Sequence, residues 1–172
     1  VVECDLRRPR VNTALKITPT PGLTNYLNEE CSLEDIVKDT KIENLKAITY
    51  GAIPPNPSEL LASEKMRELL EYVQHKYDYV IVDGTPLLPV TDVMSLADEV
   101  AGVLLVARYG RTTYQEIEES MKKLEIGDCN LLGFVLNDIS AKNGSHYGYK
   151  YSYKYKYDYS YKYGGKDTSA ES

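Results

Sequence analysis

Short apolar runs that end in polar or glycine residues recur along the chain, and stretches with helical spacing lie between them. Five of these runs predict β-strands, at residues 1–4, 45–50, 79–82, 100–107 and 131–136. The middle runs are continuously apolar rather than alternating, which is typical of strands covered on both faces. Because strands that alternate with helices form crossover connections, the pattern predicts an α/β fold with a mostly parallel sheet and helices on both of its faces.

Helix start signals occupy the segments between the predicted strands. Ser32 and Asp35 have the spacing of a capping box and predict a short helix to about Asp39. The start signal at Asn56-Pro57 predicts one long helix with a single apolar stripe, made of Leu60, Leu61, Met66, Leu69, Leu70 and Val73. Two more helices are predicted at residues 91–97 and 113–125, with Thr91-Asp92 and Thr112 or Thr113 as their caps.

The last part of the chain breaks this pattern and predicts a second unit. Tyrosines occupy every second position over a long stretch, at Tyr147, Tyr149, Tyr151, Tyr153, Tyr155, Tyr157, Tyr159, Tyr161 and Tyr163. A strand with all of these side chains on one face would lack an apolar partner, so the composition favours a disordered, low-complexity tail. We therefore predict a folded domain at residues 1–140 and a tyrosine-rich tail at residues 141–172, where exposed phenol hydroxyls suit a phosphate acceptor.

Charge and cysteine usage narrow the classes of partner and compartment. Residues 1–141 hold 14 Lys and Arg against 23 Asp and Glu, a net charge of −9, whereas residues 142–172 are net +3. An acidic body argues against nucleic acid as a partner. Three scattered cysteines and the absence of a long apolar stretch in the sequence predict a reduced, cytoplasmic protein. The chain opens inside a predicted strand, so we expect a further segment before Val1.

Acidic side chains stand at the ends of two predicted strands. Glu3 and Asp5 end the first strand and Arg7 follows them, while Asp83 ends the third. In parallel sheets ligands bind at the carboxyl ends of the strands, where a rigidly held carboxylate reaches a magnesium ion or its water shell beside phosphates. A strand-terminal Asp is as often a helix or turn cap, and that reading stays open for each residue alone. Two such strand ends in one chain favour the nucleotide site.

The order of these features resembles the bacterial tyrosine kinases, which are cytoplasmic P-loop enzymes of capsular and exopolysaccharide biosynthesis. The resemblance covers nearly the whole chain and ends in the tyrosine cluster. It is carried by Glu3-Cys4-Asp5-Leu6-Arg7-Arg8-Pro9, Pro21-Gly22-Leu23-Thr24-Asn25-Tyr26-Leu27, Pro54-Pro55-Asn56-Pro57-Ser58-Glu59-Leu60-Leu61, Tyr77-Asp78-Tyr79-Val80-Ile81-Val82-Asp83 and Gly133-Phe134-Val135-Leu136-Asn137.

The resemblance implies a three-layer, P-loop NTPase-like fold and a role for each strand-end residue. Glu3 and Asp5 match the family's second acidic motif, which helps to hold magnesium and supplies the base for the tyrosine hydroxyl. Glu3 replaces the usual Asp, so Asp5 is the stronger candidate. Asp83 matches the acid that contacts the magnesium water shell, although Gly84 then departs from the family's sequence. Arg7 is expected to contact phosphate, with a contact to a neighbouring subunit or to solvent as the alternatives. Asn137 stands where relatives of this fold contact adenine, and the alternative is that it ends a strand.

The function implied is that of an autokinase that transfers the γ-phosphate of ATP, with Mg²⁺, to the tail tyrosines and so regulates polysaccharide synthesis and export. The implied partners are a membrane adaptor of the chain-length-determinant type, further copies of the chain in a ring, and a tyrosine phosphatase. They place the protein at the inner face of the plasma membrane.

The phosphate-binding sequence G-x-x-x-x-G-K-[ST] does not occur in residues 1–172. We therefore expect these residues by themselves to be inactive. Two alternatives remain: a partitioning or site-placing ATPase, which would not need clustered tyrosines, and a non-catalytic interaction module that keeps only the acceptor tail.

Overall fold

Two sheets form the framework of the protein in a computed structural model, which describes residues 1–90 and 92–139. The first sheet contains β1 (Val2–Glu3), β2 (Val37–Asp39), β3 (Lys46–Ile48) and β4 (Val82–Asp83), in the order β2-β3-β1-β4. Strand β1 is parallel to both β3 and β4, whereas β2 is antiparallel to β3. The second sheet pairs β5 (Val103–Arg108) with β6 (Leu131–Asn137) in parallel. The predicted α/β class with mostly parallel pairing is confirmed.

The single sheet that the pattern suggested is divided in two. Strand β4 pairs with β1 on one side only, and strand β5 pairs with β6 on one side only. Among the described residues, no strand forms hydrogen bonds with the other side of β4 or of β5, so the two sheets are separate. Strand β2 was not predicted, because its residues continue the polar helical pattern that starts at Ser32. The tail at residues 141–172, with its predicted disorder and its acceptor tyrosines, lies outside the described residues, as does Thr91.

The helices follow the local start signals closely. Their bounds are α1 (Val11–Leu15), α2 (Leu23–Leu27), α3 (Leu33–Ile36), α4 (Pro57–Leu61), α5 (Glu64–Lys76) and α6 (Tyr114–Ile126), with a 3-10 helix at Asp92–Glu99. The capping box at Ser32 is present, since the Asp35 carboxylate accepts hydrogen bonds from the Ser32 N–H and hydroxyl. At the start of α6, the hydroxyl of Thr113 accepts from the Glu116 N–H at 3.2 Å.

Two helix predictions were wrong in extent. The helix from Ser32 ends at Ile36 because Val37 turns extended and its segment pairs with β3 instead. The long helix after Asn56 is two helices, α4 and α5. They are separated at Ser63, which has extended backbone angles and caps α5 through a bond from the Met66 N–H at 3.3 Å.

A hydrophobic core lies against the first sheet. The predicted stripe faces it, since Leu61, Met66, Leu69, Leu70 and Val73 are all buried, while Leu60 is partly buried. Strand β1 and the turn after it contribute Val2, Cys4 and Leu6, and the 3-10 helix contributes Leu96. Within the described part of the chain, no helix combines the length and the apolar character that a bilayer-spanning segment needs. Because Val2, Cys4 and Leu6 belong to this core, it supports the end of β1 that carries the acidic residues.

Candidate functional site

The parallel pairing of β1 and β4 brings the acidic residues to one edge of the first sheet. Glu3 and Asp83 are register partners, and the Cys4 N–H donates to the Asp83 carbonyl at 2.7 Å. Asp5 follows two residues after Glu3, just beyond the end of β1. The strand register therefore places the ends of β1 and β4 side by side, and the predicted roles of Glu3, Asp5 and Asp83 stay predictions.

Asp83 is held in an unfavourable environment for a negative charge. Although part of the residue is exposed, the surrounding protein desolvates its carboxyl group, and this is the main reason that its pKa is raised. The negative charges of Glu3 and then Asp5 raise the Asp83 pKa further. Carboxylates that repel one another are stabilised by a cation, so this edge of the sheet is suited to bind one.

Glu3 is fully buried, and its carboxylate is engaged by backbone groups. Its Oε1 accepts hydrogen bonds from the N–H groups of Arg10 and Val11, both at 2.6 Å. Its Oε2 accepts from the Tyr50 N–H at 3.1 Å. Glu3 thus ties the start of α1 and the segment after β3 to β1. Its predicted metal and catalytic roles stay predictions, and both of its oxygens already have partners.

Asp5 has one oxygen engaged by the turn that follows it. Its Oδ1 accepts hydrogen bonds from the backbone N–H groups of Arg7 at 3.1 Å and Arg8 at 2.9 Å. Among the described residues, no hydrogen bond to Asp5 Oδ2 is seen. The turn therefore fixes the orientation of the carboxylate, and the predicted roles of Asp5 as base and metal ligand stay predictions.

The side chain of Arg7 is paired with Asp92, at the start of the 3-10 helix. Arg7 Nε donates to Asp92 Oδ2 at 2.6 Å, and Arg7 Nη2 donates to Asp92 Oδ1 at 3.2 Å. The Ser58 hydroxyl, in the first turn of α4, donates to the same Oδ1 at 2.5 Å. The hydrogen bond from Arg7 is the main cause of the lowered pKa of Asp92. The predicted contact of Arg7 with a nucleotide stays a prediction.

Thr85 provides a structural sign that the site accommodates another group. It is buried, and its hydroxyl has no hydrogen-bond partner among the described residues. A buried polar atom without a partner is rare, and an ion or a water molecule commonly accounts for it. Thr85 lies two residues after Asp83, so its unpartnered hydroxyl is in the loop that follows β4. This loop leaves the acidic edge, which is the end of the first sheet that carries Glu3, Asp5 and Asp83.

The carboxylates at this site suit magnesium, which does not need to be surrounded by protein ligands. In residues 1–90 and 92–139, no group of three or more His, Cys, Asp or Glu side chains is arranged to surround a metal ion. Mg²⁺ keeps several water molecules and is usually bound by one or two carboxylates together with substrate phosphates. Asp83 and Asp5 would hold it in that manner.

Asn137 lies on the other sheet, at the end of β6. Its register partner is Arg108, and its side-chain oxygen accepts from the Asp138 N–H at 2.8 Å. This local bond caps the strand end, which is the alternative reading of Asn at such a position. The predicted contact with adenine stays a prediction.

Sequence reasoning missed three residues at the acidic edge. Asp92 was predicted only as a helix cap, Ser58 only as part of a helix start, and Thr85 only as a loop residue after Asp83. The Arg7 and Asp92 positions are 85 residues apart, and no periodic pattern links them. For Thr85 the available signal was its place two residues after the strand-terminal Asp83.

Comparison with known proteins connects this site to a family, although no family model matches the chain. The chain is 38% identical over 146 residues to the tyrosine-protein kinase ptk of Acinetobacter johnsonii. It is 38% identical over 147 residues to a putative tyrosine-protein kinase in the cps region of Klebsiella pneumoniae. The matches cover 85% and 86% of this chain but only 20% of each relative.

A solved structure matches over most of its own length. The VpsO kinase domain is 35% identical, with a TM-score of 0.76, and the match covers 81% of this chain and 69% of that domain. The cell division ATPase MinD of Pyrococcus furiosus, at 23% identity and a TM-score of 0.61, shares the fold alone. The fold is thus that of the P-loop ATPases and kinases. The chain belongs to the bacterial tyrosine-kinase family.

Proposed function

We propose that the protein is a tyrosine autokinase that transfers the γ-phosphate of ATP to tyrosines near its own C-terminus. The observation that carries the proposal is that Asp5 lies just beyond β1 and Asp83 ends the neighbouring strand β4, where desolvation and then the charges of Glu3 and Asp5 raise the pKa of Asp83. Phosphoryl transfer needs little covalent help from the protein and depends on positioning and charge stabilisation. The membership of the chain in a kinase family supports this reading of the acidic edge.

In the proposed reaction, Asp5 accepts the proton of a tyrosine hydroxyl through Oδ2 while the turn at Arg7 and Arg8 holds Oδ1. The tyrosine oxygen forms a bond to the γ-phosphorus as the bond from that phosphorus to the β,γ-bridging oxygen breaks, and ADP leaves with the electron pair. Bound magnesium supplies neutralisation of the phosphate charge. Asp83 would hold the cation, and Glu3 keeps the loops around the strand end in place.

The test measures phosphotyrosine formed by the complete product of the gene that encodes these residues, after addition of ATP and Mg²⁺. Replacing Asp5 with Asn is expected to lower the rate by about 100-fold or more, as loss of a general base does. Asp83→Asn is expected to have a comparable effect. Asp78→Asn, at an exposed position just before β4, is the matched control and should retain activity. Equal rates in all three variants would refute the assignment.

We further propose that the acceptors are the tail tyrosines, from Tyr147 to Tyr163. Each phosphate adds about −1.5 to −2 charges, so two would offset the net +3 of residues 142–172. Mixing two variants tests whether the tail tyrosines accept phosphate and whether the transfer occurs between chains. One variant is an Asp83→Asn copy with an intact tail, and the other is a copy with all nine tail tyrosines changed to Phe. Phosphorylation of the Asp83→Asn copy would demonstrate transfer between chains. Failure to label it, while the unaltered protein is labelled, would exclude that route.

The cellular setting is part of the same proposal. The Klebsiella pneumoniae relative is named as a putative tyrosine-protein kinase in the cps region, which supports a role in capsular or exopolysaccharide synthesis. The partners would be a membrane adaptor, other copies of the chain in a ring, and a tyrosine phosphatase, at the inner face of the plasma membrane. Deleting the gene should change the amount or length of the polysaccharide, and an Asp83→Asn allele should reproduce the deletion.

A site-placing ATPase is the second candidate, since it would share the fold and the acidic strand ends. The phosphotyrosine assay separates the two functions. ATP hydrolysis without any phosphotyrosine would favour the ATPase, whereas phosphotyrosine that is lost in Asp5→Asn would favour the autokinase.

A further inference from the structure

A charged cluster lies behind Asp5 and joins three segments that are distant in the sequence. Asp92 is buried, with 4% of its surface exposed, and its carboxylate accepts two hydrogen bonds from Arg7 and one from Ser58. Arg7 belongs to the turn after β1, Ser58 to α4, and Asp92 to the 3-10 helix. Asp92 therefore connects the strand that carries the proposed base to two helices.

Arg7 links this cluster to Asp5. Its side chain is held by Asp92, and its backbone N–H donates to Asp5 Oδ1. The next N–H, of Arg8, donates to the same oxygen. The bond from the Arg7 guanidinium to Asp92 therefore restrains the turn at a second point, beside the two N–H groups that orient the Asp5 carboxylate.

A stabilising role alone is a weak explanation for such a cluster. The Asp92 side chain is buried but the Arg7 side chain is 44% exposed, so water screens the pair and limits what it contributes to stability. Such pairs have their best-established use in fixing a particular arrangement. Here the arrangement that is fixed is the turn beside the acid assigned to proton transfer.

We propose that Asp92 and Ser58 are positioning residues for phosphoryl transfer, which hold the Arg7 side chain and, through the Arg7 and Arg8 N–H groups, the orientation of Asp5. The inference rests on the proposed kinase function. Neither residue touches the reacting atoms, and both act through Arg7. The loss of either loosens Asp5 without removing it.

The first test is kinetic and uses the complete gene product. Asp92→Asn, which keeps the shape and one acceptor oxygen but removes the charge, is expected to lower kcat by about 10- to 100-fold, the effect of a small misplacement of a catalytic group. The KM for ATP should change by less than about twofold, since ground-state binding is unaffected. Asp98→Asn, at an exposed position on the same 3-10 helix, is the matched control and should behave as the parent protein.

A double-mutant cycle separates positioning from general destabilisation. If Asp92 acts through Asp5, adding Asp92→Asn to Asp5→Asn should cost no more than about twofold beyond Asp5→Asn alone, because coupled residues are non-additive. Full additivity would overturn the proposal. Ser58→Thr, which keeps the hydroxyl, should retain most of the kcat that Ser58→Ala loses. The Ser58 pair also serves if Asp92→Asn fails to fold.

The second test needs no activity. Hydrogen–deuterium exchange of the peptide spanning residues 5–10 should be about 2- to 10-fold faster in Asp92→Asn and Ser58→Ala, as the bonds to Asp5 weaken. Exchange in Asp98→Asn should match the parent, and exchange in β3 should be unchanged in all three. Unaltered exchange in residues 5–10 would overturn the inference even if the kinase assay succeeds. A parent protein without phosphotyrosine would refute the proposed function instead, and exchange would still decide whether Asp92 holds the turn.

Discussion

Residues 1–99 and residues 100–139 are both built from parallel strands and helices, but they bury very different shares of their apolar side chains. The core cluster is drawn from residues 2–73 and Leu96. In the second region, the only apolar side chains in the buried class among the described residues are Ala107 and Leu124. Three residues of its sheet, Leu104, Val106 and Phe134, are 59%, 57% and 50% exposed.

The difference shows where geometry is enforced by packing. Dense interiors leave side chains few alternative positions, and functional groups are best held by such packed elements. The acidic edge with Asp5 and Asp83 lies on the packed region. The second region depends more on the pairing of β5 with β6, on the cap of α6 and on Lys123, whose amino group donates to the carbonyls of Leu87 and Leu88.

The largest expected effect comes from truncating the same side chain in each region. Leu70 is fully buried, and Leu70→Ala should lower the free energy of unfolding by about 2–5 kcal/mol, through lost burial and the cavity left behind. Leu104→Ala should cost less than about 0.5 kcal/mol, because that side chain is mostly exposed. Urea unfolding midpoints measure both. Similar costs for the two variants would remove the distinction between the regions.

A smaller effect is expected from adding a methyl group to a glycine in each region. A Cβ at Gly22 would lie 2.4 Å from the Gly51 nitrogen and 2.5 Å from the Thr49 carbonyl oxygen, both backbone atoms. Gly22→Ala should therefore cost roughly 1–3 kcal/mol or more, as overpacking does. Gly110 has φ +69° and open space around it, so Gly110→Ala should cost only the backbone strain, about 1 kcal/mol. Thermal unfolding compares them, and a larger loss at Gly110 would contradict the assignment.

Helix caps provide a comparison with equal chemistry and different consequences. Ser63 caps α5 and Thr113 caps α6, and replacement of either by Ala should cost about 1 kcal/mol. Because α5 packs on the core, Ser63→Ala should lower the unfolding midpoint of the whole domain. Thr113→Ala should mainly accelerate hydrogen exchange in α6. Uniform acceleration across both regions in Thr113→Ala would show that they unfold as one unit.

The smallest expected effect on stability has opposite signs at the ends of the two sheets. Replacing Asp83 should stabilise the protein slightly, and replacing Asp138 should destabilise it slightly. The pKa of Asp83 is raised in the folded protein, so its ionised form opposes folding above that pKa, and the opposition disappears as the pH falls below the unfolded value. Asp83→Asn should therefore raise the urea midpoint slightly at pH 7 and match the parent near pH 3. Asp138→Asn breaks an exposed pair with Arg108 and should lower the free energy of unfolding by no more than about 1 kcal/mol, with a small fall in the urea midpoint. A lower midpoint for Asp83→Asn at pH 7 would contradict the electrostatic account.

Local patterns predicted the elements that carry the site. The stripe with Leu70 and the cap at Thr113 are signals within a few residues, and the structure contains both. The strand prediction at residues 79–82 was right in place but not in extent, since β4 is Val82–Asp83 and Tyr79 is 90% exposed. The patterns were misleading at Ser63 and Val37. At Ser63 the hydroxyl caps α5, and the helix from α4 does not continue through it. At Val37 the chain pairs with strand β3, and α3 does not extend further.

The sequence by itself determined the α/β class, the family and the acids at the strand ends, because these depend on residue order and spacing. Only the tertiary structure decided how the acids are used. It placed Glu3 in register with Asp83 but surrounded its oxygens with N–H groups, and it joined Arg7 to Asp92 across 85 residues. Hydrogen bonds between residues so far apart depend on how helices and strands pack, and no local period encodes that packing.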